Sequence, residues 1–229
     1  MRPPIPSAPA AAAPLRPRAD GIWFELFGAA PRAGRPALFV DRDGVLVEDC
    51  HYLRRAEDVA LLDGAAAALA EANRLDMPVI VVTNQAGVGR GYYDWPAFAA
   101  VNRRMLDGLA AGGARVDAVV ACPFHADGVG RYRQAGHPMR KPRPGMLLLA
   151  GRALAVDFAA SLVVGDQLSD LRAGQAAGLR RGVHVLSGHG AQGRAAAARF
   201  ASAAFAVELV GGIGDAAVLR ALQQQGGAG

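Results

Sequence analysis

The sequence predicts an α/β fold in which a Rossmann-like parallel sheet is flanked by helices. From Pro36 onward, short and continuously apolar runs alternate with longer segments whose apolar residues recur at helical spacing. Strands that are apolar at every position are buried on both faces, and their alternation with helices is typical of a parallel sheet covered on both sides. The 229 residues, of which 52% are hydrophobic, suffice for one domain with a sizeable core.

Strands and helices are expected to alternate along most of the chain. The predicted strands are 37–40, 79–82, 116–120, 162–164, 183–185 and about 205–209. The predicted helices are 62–76, 94–111, 144–157, 168–178 and about 214–224. Asp94 is a candidate N-cap, Pro144 suits a first helical turn, and Gly178 is expected to end its helix.

The chain is expected to consist of one globular domain with a tail at each end. Residues 1–35 begin with a Pro/Ala/Arg-rich stretch and are predicted to be a largely disordered N-terminal extension, although a transit peptide is an alternative interpretation. The domain is predicted over 36–224, with a frayed tail at 225–229.

Composition excludes several classes of function. The net charge is +5 and the pI about 9.9, but the basic residues are scattered, so no nucleic-acid partner is expected. No apolar run approaches the ~20 residues that span a bilayer, so no membrane association is expected. The two cysteines, Cys50 and Cys122, favour a reducing cytoplasm over a disulfide scaffold. Short loops suggest a monomer.

Three polar clusters directly follow predicted strands. The carboxyl ends of parallel strands meet at one edge of a sheet, where α/β proteins bind their ligands. We therefore expect these clusters to converge. They are Asp41-Arg42-Asp43, Thr83-Asn84-Gln85 and Gly165-Asp166.

Asp41 and Asp43 form the central pair of candidate catalytic residues. Two carboxylates so close to a buried strand are costly unless a cation neutralises them, and a divalent metal ion would do so. One carboxylate can attack phosphorus, and the other can act as acid and then as base. Taken alone, the pattern is equally that of an ordinary acidic loop after a strand.

Other polar residues could hold a phosphoryl group or a metal ion. Thr83 offers a hydroxyl, Lys141 a charge just before a helix, and Asp166 an oxygen ligand for Mg²⁺. Capping and solvation explain the first two equally simply. Asp170 is explained as well by the helix dipole, which favours an acid in the first turn.

The ordered motifs resemble the haloacid dehalogenase (HAD) superfamily. More narrowly, they resemble the D,D-heptose 1,7-bisphosphate phosphatases, and the related histidinol-phosphate phosphatases share much of the pattern. The resemblance covers roughly residues 36–188. It is carried by DRDGV at 41–45, TNQAGVGRG at 83–91, Cys122-Pro123, RKPRPGM at 140–146 and the Gly165-Asp166 motif.

The resemblance implies a role for each motif residue and Mg²⁺ as the cofactor. Asp41 would be the nucleophile and a Mg²⁺ ligand. Asp43 would be the general acid/base and would also bind Mg²⁺ through its main-chain carbonyl. Asp166 would complete the protein ligands, and Thr83 and Lys141 would stabilise the phosphoryl group.

The resemblance also implies an open substrate site without a large cap domain. The segments after Asp43 and Thr83 look too short to hold an inserted domain. The residues expected to line the substrate site are Arg42, Asp49, Cys50, His51, Tyr52, Asn84, Gln85, Ala86 and Arg140.

The loop after Cys122 departs from the family. Members often carry a structural zinc held by a Cys-x-His pair and a later Cys-x-Cys pair. Here Phe124 takes the first His position with His125 beside it, while His137 and Met139 replace the later cysteines. Cys122, His125 and His137 could supply three of the four ligands that a closed site needs. We favour a loop that has lost its zinc and is held by packing.

The expected activity is hydrolysis of a small sugar phosphate through an aspartyl-phosphate. A heptose 1,7-bisphosphate is the leading substrate, and histidinol phosphate or another small phosphomonoester is the alternative. A non-catalytic binding module on the same fold is disfavoured because Asp41, Asp43, Lys141 and Asp166 are all retained.

Overall fold

The sheet is the organising element of the computed structural model, which describes residues 17–28 and 32–226. Within them, seven strands form one sheet in the order β1-β4-β3-β2-β5-β6-β7. Strand β1 is antiparallel to β4, and every other pair of neighbours is parallel. The predicted α/β class is therefore confirmed. The strands are β1 (Trp23–Leu26), β2 (Pro36–Val40), β3 (Val79–Asn84), β4 (Ala118–Cys122), β5 (Asp157–Gly165), β6 (Arg181–Val185) and β7 (Ala206–Val210).

Helices cover both faces of the sheet because the central strands are buried on both sides. Leu38 and Val40 of β2 belong to one core cluster, and Ala37 and Phe39 to the other. The first cluster includes buried residues of α1, α3 and α7, and the second includes those of α4, α5 and α6. The helices are α1 (Ala65–Arg74), α2 (Ala86–Gly89), α3 (Trp95–Ala111), α4 (Gly145–Ala153), α5 (Leu168–Ala177), α6 (Gly190–Phe200) and α7 (Ala216–Gly226).

Strand β1 lies before the domain boundary predicted at residue 36, yet it belongs to the sheet. Trp23 stacks on Trp95 with a centroid distance of 5.5 Å and meets Phe98 edge-on at 5.3 Å. Both partners lie on α3, so the short strand is held by an aromatic cluster that its own sequence does not reveal. Of the extension predicted over 1–35, residues 1–16 and 29–31 lie outside the described residues. Of the frayed tail predicted at 225–229, residues 227–229 lie outside them, and residues 225 and 226 belong to α7.

The structure also differs from the predicted helices at α4 and α6. The helix predicted over 144–157 ends at Ala153, and β5 already begins at Asp157. Phe158 of β5 stacks on Phe39 of β2 at 6.1 Å, and this contact across the sheet favours the longer strand. Helix α6 was not predicted, since its Ala- and Gly-rich sequence contains one large apolar residue, Phe200.

No separate domain is inserted anywhere in residues 32–226, as predicted. The two longest described stretches without an α-helix or strand are 41–64, between β2 and α1, and 123–144, between β4 and α4. Each contains one 3₁₀ turn, Ala56–Asp58 in the first and Gly130–Tyr132 in the second. In the part of the chain that the structure describes, no helix is long and apolar enough to cross a membrane.

Candidate active site

The carboxyl ends of β2, β3 and β5 surround a cleft of about 220 Å³. Asp41 directly follows β2, Thr83 is the last residue but one of β3, and Asp166 directly follows β5. The predicted convergence of the three polar clusters therefore occurs. The predicted site residues that line the cleft are Asp41, Arg42, Asp43, Asp49, His51, Tyr52, Thr83, Asn84, Gln85, Ala86 and Lys141.

Lys141 is a buried cation between two buried carboxylates. Its Nζ lies 2.9 Å from Asp41 Oδ2 and 2.7 Å from Asp170 Oδ1, and it also donates to the Val82 carbonyl at 2.8 Å. Burial alone would lower the pKa of Lys141, but the carboxylates of Asp170 and Asp41 outweigh it and raise the pKa above its ordinary value. Lys141 therefore stays charged.

The acids around Lys141 outnumber it. Asp41, Asp166 and Asp170 can each offer an oxygen within 4.8 Å of the others, and all three are buried. Burial raises the pKa of Asp41 well above its usual range, and although Lys141 opposes this, the neighbouring carboxylates add to it. Burial also raises the pKa of Asp166 to about 6. The cluster thus carries excess negative charge that a cation would relieve.

A hard divalent cation fits this cluster. Asp166 Oδ1 is buried and has no hydrogen-bond partner among the described residues, while its Oδ2 accepts from the His189 main-chain N–H at 2.8 Å. An orphaned carboxylate oxygen beside a second carboxylate is the donor type that Mg²⁺ takes. Both oxygens of Asp170 have partners within the protein. Its Oδ2 accepts from the Gln167 N–H at the start of α5, and its Oδ1 faces Lys141.

The main chain packs closely around Asp166. Gly44 has φ +78° and Gly188 has φ +57°, and a Cβ at either position would lie within 2.7 Å of Asp166 Oδ2. Ser187 Oγ donates to the Gly44 carbonyl at 2.6 Å, which joins the loop after β6 to the loop after β2. Glycine at both positions therefore allows the two loops to enclose this carboxylate.

Asp43 is held by hydrogen bonds from neighbouring side chains. Arg42 donates to it from Nε at 3.1 Å and from Nη2 at 2.9 and 3.0 Å. Gln85 Nε2 donates to Asp43 Oδ2 at 2.9 Å and to Thr83 Oγ1 at 2.8 Å. Arg42 was expected in the substrate site. Arg42 lies in the cleft lining, but its side chain is almost wholly buried and its guanidinium is bonded to Asp43.

Asn84 fixes the loop that carries Lys141. Its Nδ2 donates to the Lys141 carbonyl at 3.2 Å, and its Oδ1 accepts from the Lys141 N–H at 3.1 Å. Both polar atoms of the amide are thus engaged with main chain, and Asn84 supports Lys141 from the cleft wall.

The segment 49–52 forms another wall of the cleft. Asp49 Oδ2 pairs with His189 Nε2 at 3.0 Å, across the cleft from the loop after β6. His51 has φ +73°, and its N–H donates to Asp49 Oδ1 at 2.9 Å. Cys50 was expected to line the substrate site, but it is exposed and lies outside the cleft lining.

Arg140 also lies outside the cleft lining, on its rim beside a second arginine. Arg140 Nη1 donates to the Phe124 carbonyl at 3.2 Å. Arg90 donates to the Tyr52 hydroxyl at 2.5 Å and touches the ring of His125 at 3.2 Å. Burial, with Arg90 nearby, lowers the pKa of Arg140. Arg90 also pairs with Asp127 at 3.1 Å, so of the two arginines Arg140 is the one without an ion pair among the described residues.

Comparison with known proteins agrees with this geometry. The HAD-hydrolase-like family model matches residues 138–210, which carry Lys141, Asp166 and Asp170. A D-glycero-β-D-manno-heptose-1,7-bisphosphate 7-phosphatase from Mesorhizobium japonicum is 48% identical over 163 residues, which are 71% of this chain and 75% of the relative. The corresponding enzyme for the α anomer from Burkholderia mallei is 44% identical over 62% of this chain and 76% of its own.

The chain belongs to the heptose-1,7-bisphosphate 7-phosphatase family of HAD hydrolases. It is therefore a phosphatase. A HAD-like phosphatase from Mesorhizobium loti superposes with a TM-score of 0.80 at 42% identity, over 90% of this chain and 93% of its own. The D,D-heptose 1,7-bisphosphate phosphatase from B. bronchiseptica, solved with magnesium and phosphate, superposes with a TM-score of 0.70. It is 30% identical, and the match covers 82% of this chain and 99% of its own.

Packing contacts occupy the loop of this phosphatase in which the zinc ligands were considered. The rings of Phe124 and His137 stack at 3.8 Å, and Phe124 meets Tyr132 edge-on at 5.5 Å. Burial raises the pKa of the Cys122 thiol to about 11, which disfavours the thiolate. Over 17–28 and 32–226, the Asp41 cluster is the one set of three or more His, Cys, Asp or Glu side chains close enough to share an ion. That this loop lacks zinc stays a prediction.

Six residues of the cleft lining were not predicted, and two of them, Tyr93 and His189, bond to predicted site residues. Tyr93 donates to Gln85 Oε1 at 2.5 Å, and burial raises its pKa to about 12, so its hydroxyl stays protonated. His189 follows β6 and reaches Asp49. The rule that strand ends converge, applied to β6, would have found His189. Nothing local in the sequence distinguishes Tyr93 from its neighbour Tyr92.

Proposed function

We propose that this phosphatase hydrolyses D-glycero-D-manno-heptose 1,7-bisphosphate to the 1-phosphate. The observation that carries the proposal is a buried Asp41–Lys141 pair at the cleft, beside a rim that carries Arg90 and Arg140. The first arrangement suits phosphoryl transfer, and the second suits a substrate with another phosphate. The names of the relatives in both the α and β series support the same substrate class.

The reaction proceeds in two displacements at phosphorus. A carboxylate oxygen of Asp41 forms a bond to phosphorus while the ester P–O bond breaks, and protonated Asp43 gives its proton to the leaving alkoxide. Asp43 then takes a proton from water, whose oxygen attacks the aspartyl-phosphate. The bond between phosphorus and Asp41 breaks, inorganic phosphate leaves, and both acids return to their starting states.

The charges around Asp41 supply the stabilisation. Asp41 and Asp166, with the main-chain carbonyl of Asp43, would hold Mg²⁺, which when bound offsets the negative charge of the phosphoryl group. Lys141 provides a fixed positive charge at the nucleophile, and the hydroxyl of Thr83 can donate to a phosphoryl oxygen.

The non-reacting phosphate would bind at the arginine rim. Guanidinium groups bind phosphate through paired, charge-assisted hydrogen bonds, and partly buried ones bind it more strongly than exposed ones. Arg140 accounts for no ion pair among the described residues, so its charge remains for a ligand. Binding energy from this remote phosphate can align the ester at C7 with Asp41.

A substrate comparison tests the proposal. We expect kcat/KM for the 1,7-bisphosphate to exceed that for the heptose 7-phosphate and for histidinol phosphate, with ³¹P NMR showing loss of the C7 phosphate only. Arg140→Ala should shrink the preference by about tenfold or more, the effect of losing a charged hydrogen bond. Arg143→Ala, an exposed arginine in the same loop, is the matched control. Equal rates on mono- and bisphosphates would refute the substrate, as would a faster reaction with histidinol phosphate.

We also expect this enzyme to work as a monomer in the cytoplasm. Cys50 is exposed and is a free cysteine, which suits a reducing compartment. Light scattering should give one chain of 23.6 kDa.

A further inference from the structure

We propose that Arg42 and the Tyr93–Gln85 pair are positioning residues that fix the carboxyl group of Asp43. This inference rests on the proposed role of Asp43 as the acid that protonates the leaving oxygen. Neither residue needs to touch the substrate in order to act. Each acts by limiting where the carboxyl group of Asp43 can point.

Arg42 forms the first support. Its three contacts to Asp43, at 2.9 to 3.1 Å, grip the carboxylate edge with a planar fork. The guanidinium is itself fixed, since its Nη1 donates to Asn102 Oδ1 at 3.3 Å and its centre lies 5.3 Å from the Phe98 ring. Arg42 is only 1% exposed, and Asp43 is the acid with which it pairs among the described residues.

Gln85 and Tyr93 form the second support. Gln85 Nε2 donates to Asp43 Oδ2 at 2.9 Å, on the oxygen that Arg42 holds less fully. The Tyr93 hydroxyl donates to Gln85 Oε1 at 2.5 Å and so fixes which way the amide faces. With this orientation, the amide presents its NH₂ group to Asp43. Loss of the hydroxyl would let the Gln85 side chain rotate.

Two supports on one carboxyl group matter because Asp43 is not held by burial. About a quarter of its side chain is exposed, which leaves room for other rotamers. A general acid must lie within hydrogen-bond reach of the leaving oxygen, and a misplacement of about 1 Å can cost about 10²-fold in rate. The supports therefore serve proton transfer specifically.

Dependence on the leaving group separates this role from general support of the fold. An alkoxide is a poor leaving group and needs the proton of Asp43, whereas 4-nitrophenolate leaves without one. Damage to proton transfer therefore slows cleavage of a sugar phosphate much more than cleavage of 4-nitrophenyl phosphate. Damage to the fold, to Asp41 or to metal binding slows both alike.

The experiment measures single-turnover release of alcohol and of 4-nitrophenol from saturating substrates. Asp43→Asn removes the acid itself and is the reference variant. Its rate on the sugar phosphate should fall by about 10² to 10⁴-fold and its rate on the aryl ester far less. Arg42→Lys keeps the charge without the planar fork, and Tyr93→Phe removes one hydroxyl. In both variants the rate on the sugar phosphate should fall by about tenfold or more and the rate on the aryl ester by less than about threefold, with little change in KM.

Matched controls repeat each substitution away from Asp43. Arg115→Lys alters an ion pair to Asp117 near the start of β4, and Tyr132→Phe removes a hydroxyl that accepts from Trp95. Both should leave the two rates unchanged. If Arg42→Lys does not fold, Tyr93→Phe decides alone. Equal losses on both substrates, or none on either, would overturn the inference. If Asp43→Asn itself shows no preference between leaving groups, the proposed role of Asp43 fails instead.

Discussion

Asp166→Asn should stabilise the metal-free protein while abolishing its response to Mg²⁺. The substitution is nearly isosteric, which suits a carboxylate enclosed by Gly44 and Gly188. The asparagine oxygen can still accept from the His189 N–H. Its NH₂ group can donate toward Asp41, where the wild-type residue presents a second negative charge. The site thus costs stability when no metal ion is bound.

The magnitude follows from the pKa of Asp166. Burial raises it from 3.8 to about 6, so the unfolded chain loses this proton first as the pH rises. The folded state is therefore penalised increasingly between about pH 4 and pH 6, and the penalty is complete above that range. A difference of about 2 pH units corresponds to about 3 kcal/mol, of which about 1 kcal/mol remains at pH 4.5. Asparagine does not ionise and escapes the penalty.

Urea denaturation in EDTA measures this directly. At pH 8 the free energy of unfolding of Asp166→Asn should exceed that of wild type by about 2 to 3 kcal/mol, and the gain should shrink at pH 4.5. Added Mg²⁺ should stabilise wild type and leave the variant unchanged. Asp107→Asn, on the exposed side of α3, is the matched control. This account of the cluster would be refuted if the variant were less stable than wild type at pH 8. It would also be refuted if the stability gain of the variant were as large at pH 4.5 as at pH 8.

Four further outcomes are expected. Asp41→Asn should fold normally but lose essentially all turnover, because an amide cannot form the aspartyl-phosphate; more than a few per cent of wild-type activity would exclude Asp41 as nucleophile. EDTA should silence the enzyme and Mg²⁺ restore it, and full activity in chelator would contradict the metal site. Elemental analysis should find at most substoichiometric zinc, whereas one tightly held zinc per chain would show that Cys122 and its neighbours bind it. Gly64→Ala should lower the free energy of unfolding in urea by about 2 kcal/mol or more, because φ is +77° and the new Cβ would lie 2.3 Å from Gly214 Cα. An unchanged urea midpoint would mean that the loops that carry Gly64 and Gly214 separate easily.

The sequence predicts where a residue lies in the fold when local pattern alone fixes that position. A continuous apolar run identifies a buried parallel strand, and the residue after it must lie at the ligand-binding edge. Asp41, Thr83 and Asp166 were located in this way. Lys141 was located by its place before a helix. These inferences need only the order of elements along the chain.

Other features depend on contacts between distant segments. Trp23 joins the sheet because α3 supplies Trp95 and Phe98, and no pattern near residue 23 contains that information. His189 reaches the cleft because β6 lies next to β5, so that the loops after both strands meet.

What the sequence by itself determined is the fold class and the residues that stand at the carboxyl ends of the strands, since both follow from hydrophobic periodicity. What only the tertiary structure decided is the direction of the side chains there. Arg42 follows Asp41 at the cleft, yet its guanidinium lies in the core, because Asn102 and Phe98 of a helix 60 residues away offer it partners. Position along a strand is a local property, whereas the partner that a buried charge finds depends on which elements pack beside it.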